Sequence, residues 1–149
     1  MVELALALPV LMSLLLGTIT SAVALNDDIQ LTHAAREGAR YGATVPYDEV
    51  FGSGTWATNV RLVVIERFGE GLSAGDVCVA LVDASPAAPL SADHTTKSDG
   101  TACFDDSASG VTDARVQVTA GKASSIDTGF YSFPLDLSSE AAARHESNG

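Results

Sequence analysis

The first 25 residues, MVELALALPVLMSLLLGTITSAVAL, carry one charged side chain, Glu3, and neither Lys nor Arg. A helix of that length rises roughly 37 Å, against about 30 Å of bilayer hydrocarbon. Leu14, Leu15, Leu16, Ile19, Val23 and Leu25 leave no polar stripe, which predicts a helix surrounded by lipid or by other apolar helices. A secretory signal peptide would have a basic start and an apolar core of about 7–15 residues. Here the basic start is missing and the run is longer, so the stretch reads as a retained membrane or filament-core helix.

From Asn26 the polarity changes but no Pro intervenes before Pro46, so the same helix is expected to continue to about Ala43. Asn26, Gln30, His33, Glu37 and Arg40 share one polar face. The opposite face holds Leu31, Ala34, Ala35, Gly38, Ala39 and Gly42, whose small side chains let another element approach closely. That element is either the protein's own domain or a neighbouring copy. Pro9 and Gly17 lie inside the apolar half, where an apolar bundle tolerates them and either can mark a bend.

Residues 44–54 hold a Pro and two Gly and read as a connection. Trp56, Val60, Val63, Val64 and Phe68 then follow helical spacing, with Thr55 as N-cap and Gly69 and Gly71 as the stop. Residues 76–84, DVCVALVDA, are apolar on both faces, predicting an interior strand covered by helix on one side. A Pro/Ser/Ala-rich surface loop is expected over 85–100, the clearest strand over 114–120, and a weaker one over 129–137, where Pro134 argues for a sheet edge. The ending EAAARHESNG reads as a helical or frayed tail. The fold class is therefore α+β: a long N-terminal hydrophobic helix (1–43, apolar half 1–25), then a small head domain (44–149) with a second helix and a three- to four-stranded antiparallel sheet.

A formal charge of −11 with no Lys/Arg cluster argues against nucleic-acid binding. The two cysteines, Cys78 and Cys103, suggest a disulfide and an oxidising, extracytoplasmic compartment; two buried thiols are the alternative. Closing a loop of about 25 residues would contribute about 3 kcal/mol. Neither Cys belongs to a CxxC pair or has a His close by, which disfavours a metal site. His33, His94 and His145 read as surface residues, and no nucleophile elbow, HExxH or P-loop occurs, so neither catalysis nor a cofactor is expected. The acids Asp93, Asp99, Asp105 and Asp106 read as solvated turn residues, with calcium as the sharper alternative, and the Ser/Thr of the same loop as possible sugar acceptors.

Glu3 needs explaining, because an ionised carboxylate in hydrocarbon costs several kcal/mol unless paired or protonated. Its partner is the α-amino group of residue 1 or that of a neighbouring copy; alternatively it sits at the headgroup interface near the helix N-terminus.

VELALALPVLMSLLLG followed by LTHAAREGARYGA resembles the N-terminal region of TadE-like proteins, the pilin-like subunits of tight-adherence pili. The similarity covers residues 2–43, with a looser echo in ARVQVTA and LSSEAAARHES. It implies a prepilin-like precursor processed by a prepilin peptidase, a helix held in the inner membrane before assembly on an inner-membrane platform, and a place in an extracellular pilus beside copies of itself or other pilins. With no basic leader, the chain reads as a mature or trimmed form, and Glu3 lies nearer the start than the fifth-position acid of type IV pilins.

On this reading Glu3, Pro9, Gly17, Gly38 and Gly42 serve assembly, and the task is adhesion or surface attachment. A membrane-tethered extracytoplasmic binding module acting as a monomer is the alternative, and an enzyme ranks last.

Overall fold

The computed structural model describes residues 2–45, 56–82, 90–94 and 114–145; the side chains of 2–6 and 90–94 lie outside that description. Helix α1 runs unbroken over Val2–Thr44, with Pro9 inside it. Helix α2 spans Trp56–Phe68, and a one-turn 3₁₀ helix, Ala74–Asp76, leads into the sheet. Strands β1 (Val77–Val82), β2 (Leu90–His94), β3 (Arg115–Asp127) and β4 (Ser132–Arg144) pair antiparallel in the order β2-β1-β3-β4.

The small-residue face of α1 packs on its own head. Leu31, Ala34, Ala35, Ala39 and Ala43 join Trp56, Val60 and Val64 of α2, Val77, Val79 and Leu81 of β1, and Val116 and Val118 of β3 in one core. Asn26, Gln30, His33, Glu37 and Arg40 all face outward, so the helical period assigned both faces correctly. Gly38 and Gly42 are buried where α1 crosses α2. A Cβ on Gly38 would collide with Val64 Cγ2, and one on Gly42 would meet Val116 Cγ1 and Val60 Cγ2 at 3.0 Å and Trp56 Cζ2 at 3.1 Å.

The end of α1 is capped by side chains. The last four carbonyls of a helix lack intrahelical partners. Here Gly42 O accepts the Trp56 indole N–H (3.3 Å) and Tyr41 O accepts the Thr44 hydroxyl (2.8 Å). Just beyond, Val45 O lies 3.1 Å from His145 Nε2. Helix α2 stops at Gly69, whose positive φ of 90° suits glycine and whose N–H returns to Ile65 O at 2.9 Å. The expected N-cap, Thr55, lies outside the described residues.

Three expectations need correcting. Residues 140–144 are not a helical tail but the end of β4: Ala141 and Ala143 pair with Val118 and Val116, and the sheet contacts override the helix preference of an Ala run. His145 is correspondingly buried rather than a surface histidine, and its N–H donates to Ala114 O (2.9 Å). The stretch 85–100 is not loop throughout, since 90–94 forms edge strand β2. Pro134 does fall on the other edge strand, and β1 is interior and wholly buried.

Strands β3 and β4 are also longer than their apolar alternation indicated. Their ladder runs from Arg115↔Arg144 to Asp127↔Ser132, closed by the turn Thr128–Tyr131. There the Thr128 N–H donates to Tyr131 O (2.9 Å), the Tyr131 N–H donates to the Thr128 hydroxyl (3.2 Å), and Gly129 takes a φ of 83°.

Candidate membrane and assembly interface

The apolar half of α1 is outside the head's core. Leu8, Val10, Leu11, Met12, Leu14, Leu15, Leu16, Ile19, Val23 and Leu25 are all exposed, Leu11, Leu14 and Leu25 at 65 % each. The helix is long and apolar enough to cross a membrane, by length and composition. Exposing so large a continuous apolar surface to water is unfavourable, so it calls for lipid or another protein.

The hydroxyls in this stretch are internally satisfied. Ser13 Oγ donates to Val10 O (2.9 Å), Thr18 Oγ1 to Leu15 O (2.8 Å) and Ser21 Oγ to Gly17 O (2.7 Å). Each bonds back to a carbonyl one turn earlier, which removes most of the penalty of placing an O–H in hydrocarbon.

The β3–β4 hairpin lies along this helix and is joined to it at successive levels. Thr32 and Ser139 hydroxyls are 3.3 Å apart, and Lys122 Nζ reaches Asp27 Oδ2 at 2.8 Å while standing 4.9 Å over the Phe68 ring. Lower down, Thr20 Oγ1 approaches Asp127 O at 3.2 Å, and at the tip Thr128 and Gly129 abut Gly17 and Leu16. From Thr32 to Leu16 the helix descends about 24 Å, and from Ala120, opposite Ser139, to Thr128 the strand covers about 26 Å, so the two run side by side. Ile126 and its partner Phe133 continue the helix-facing side, while Ser125, Asp127, Ser132, Pro134 and Asp136 form the outer, exposed side.

The hairpin tip is aromatic. Phe130 is 68 % exposed, Tyr131 74 % and Phe133 56 %; outside α1, the only other exposed large hydrophobic among the described residues is Leu62. In the sequence these residues read as part of a strand, and nothing in the alternation marks them as a group. The available signal was three aromatics in four positions after a glycine, which breaks simple alternation.

Of the residues expected to serve assembly, Glu3 lies in the first turn of α1, and its side chain is outside the description. Pro9 is half-buried without interrupting the helix, and Gly17 faces the hairpin tip through Thr128. Gly38 and Gly42 are occupied by the chain's own α2 and β3, the intramolecular alternative of the two that the sequence left open. Cys78 is buried on β1, whereas Cys103 lies outside the described residues. Asp99, Asp105 and Asp106 also lie outside them, and Asp93 belongs to β2. Among the described residues no group of His, Cys, Asp and Glu is placed to hold a metal ion. In α2, desolvation lowers the Arg61 pKa from its ordinary value.

The family model for TadE-like protein matches residues 1–40. Over that stretch the chain is similar to TadE-like proteins. The matched segment is almost all of α1: the exposed apolar half together with most of the small-residue face that seats the head. The TadE-like match associates the protein with the Tad pilus and fits anchoring of its apolar helix in a membrane. No curated protein and no solved structure matches the chain.

Proposed function

We propose that this protein is a structural, pilin-like subunit that assembles through α1 into a cell-surface pilus of the Tad type, for adhesion or surface attachment. The observation that carries the reading is the coincidence of the TadE-like match with a helix whose outer half is apolar and exposed. Before assembly that half sits in the inner membrane, with the acidic head outside the cytoplasm. On assembly it exchanges lipid for the helices of other subunits, either copies of this chain or other pilins, after processing by a prepilin peptidase and docking on the inner-membrane platform. The role needs no cofactor and no catalysis.

Gly38 and Gly42 serve this function indirectly, by seating the head on the helix. Glu3 is the residue proposed to act between subunits, since a carboxylate near the start of an apolar helix gains most from a cation supplied by a neighbour. A disulfide between Cys78 and Cys103 would suit an extracytoplasmic head.

The test is Glu3→Ala in cells whose membrane levels of the protein are matched to wild type. Fewer surface filaments by electron microscopy, with membrane insertion unchanged, is the expected result. Unchanged filament numbers remove Glu3 from the mechanism. Wild-type protein that remains a monomer in lipid, with filaments persisting in a strain deleted for it, replaces the structural reading with that of a membrane-tethered binding module.

A further inference from the structure

We propose that the β3–β4 hairpin tip, Phe130, Tyr131 and Phe133, is a membrane-interface anchor that sets how deep α1 sits in the bilayer before assembly. The inference rests on the membrane-held state of the proposed function.

The tip abuts Leu16 and Gly17, and Thr20 Oγ1 lies 3.2 Å from Asp127 O, so the turn is fixed at a known level of the helix. From Leu25, the last residue of the apolar run, to Gly17 the helix descends about 12 Å. The headgroup region outside the hydrocarbon is about 5–8 Å thick on each side. With Asn26 at the outer surface, the tip therefore lies a few ångströms past the boundary between headgroups and acyl chains, and an aqueous tip would require about a third of the apolar run, residues 17–25, to be withdrawn from lipid.

Aromatic side chains concentrate at membrane–water boundaries, and interfacial elements bury their apolar groups about 5–10 Å into that zone. Outside α1, the exposed large hydrophobics of the described residues are gathered at this tip except for Leu62. Above the tip the charged pair Lys122–Asp27 falls at the level where water and headgroups return.

The backbone of β4 limits how deep the tip can go. β4 is a sheet edge, and its unpaired N–H and C=O groups cannot enter hydrocarbon unsatisfied. Pro134 removes one such N–H close to the tip, but the neighbouring residues keep theirs. The hairpin thus admits its aromatic turn to the interface and resists going deeper.

Two single-tryptophan additions test this in the full chain, reconstituted in vesicles of zwitterionic and anionic phospholipid that carry nitroxide quenchers either near the headgroup or near the chain end. Tyr131→Trp reads the tip and Leu11→Trp reads the helix; Trp56, buried in the head, gives a background measured with wild type. Tyr131→Trp is expected to be quenched about twofold or more better by the shallow quencher than by the deep one, and Leu11→Trp the reverse. Leu11→Trp quenched while Tyr131→Trp is untouched by either quencher overturns the anchor and leaves the membrane helix standing. Neither tryptophan quenched overturns the membrane-held state itself. Tyr131→Trp quenched more by the deep probe overturns the stop attributed to the β4 edge. A Phe130→Ser/Tyr131→Ser/Phe133→Ser variant, altered only at exposed positions, is expected to shift the Leu11→Trp quenching profile; an unchanged profile refutes control of depth by the tip.

Discussion

The contact between α1 and α2 permits a quantitative test through Gly38. A methyl at this position collides with Val64 Cγ2, and Val64 is fully buried and β-branched on a helix, so it has little rotamer freedom to yield. Overpacking of this kind costs about 1–3 kcal/mol, whereas replacing Gly by Ala within a helix returns about 1 kcal/mol, so Gly38→Ala is expected to destabilise by about 0–2 kcal/mol. Val64→Ala removes two methyl groups and leaves a cavity, costing about 2–3 kcal/mol. In the double variant the new methyl enters space that Val64 has vacated, so the two losses should fall short of their sum by about 1–2 kcal/mol. At Gly42 the added methyl faces Val116, Val60 and Trp56 together, and Val64→Ala should not rescue it. The assay is denaturant unfolding of the full chain in mild detergent, followed by Trp56 fluorescence, with each 1 kcal/mol equivalent to about 3–5 °C in a parallel melt. Losses at Gly38 and Val64 that add within about 0.5 kcal/mol, or a Gly38→Ala protein more stable than wild type, refute the close approach.

Asp27→Asn weakens a charge-assisted bond to Lys122 between largely covered side chains and should cost about 1–2 kcal/mol; an unchanged unfolding midpoint shows that the pair contributes nothing. Thr20→Val removes the hydroxyl beside Asp127 O, and backbone amide exchange at Thr128 and Tyr131 should quicken a few-fold relative to that in β1; equal rates would mean that the helix does not steady the turn. For Cys78 and Cys103, maleimide should label no thiol in denatured, unreduced protein and both after reduction, and Cys78→Ser should then lower the melting temperature by the equivalent of about 3 kcal/mol; labelling before reduction removes the disulfide. His145→Ala withdraws the ring next to Val45 O and should destabilise by about 1 kcal/mol, seen as a lower unfolding midpoint than that of a variant at exposed His33.

The helical parts were legible because burial follows their period. Leu31, Ala34, Ala35, Gly38 and Gly42 mark the buried side of α1, and Trp56, Val60, Val64 and Phe68 that of α2, since each helix has one side turned to the core. The hairpin was legible where valines alternate, over 114–120, and in part in the stretch 129–137 that opens β4. Beyond Ala120 the strand is Gly-Lys-Ala-Ser-Ser, and the second half of β4, residues 138–143, is Ser-Ser-Glu-Ala-Ala-Ala, compositions with little strand preference of their own. Those residues are held by cross-strand pairing and by α1, neither of which leaves a local pattern. His145 gave no sign of burial either, because its position depends on Val45, a hundred residues earlier in the chain.

The joining of hairpin and helix at Thr32, Asp27, Thr20 and Gly17 has a mechanical consequence. A head hung from a single hinge would swivel like a flag on its pole. Held at several heights, it turns only when its shaft turns. Whatever angle the shaft adopts among its neighbours then dictates which side of the head faces outward, so the pattern displayed by an assembly would be written in the rotation of its innermost parts.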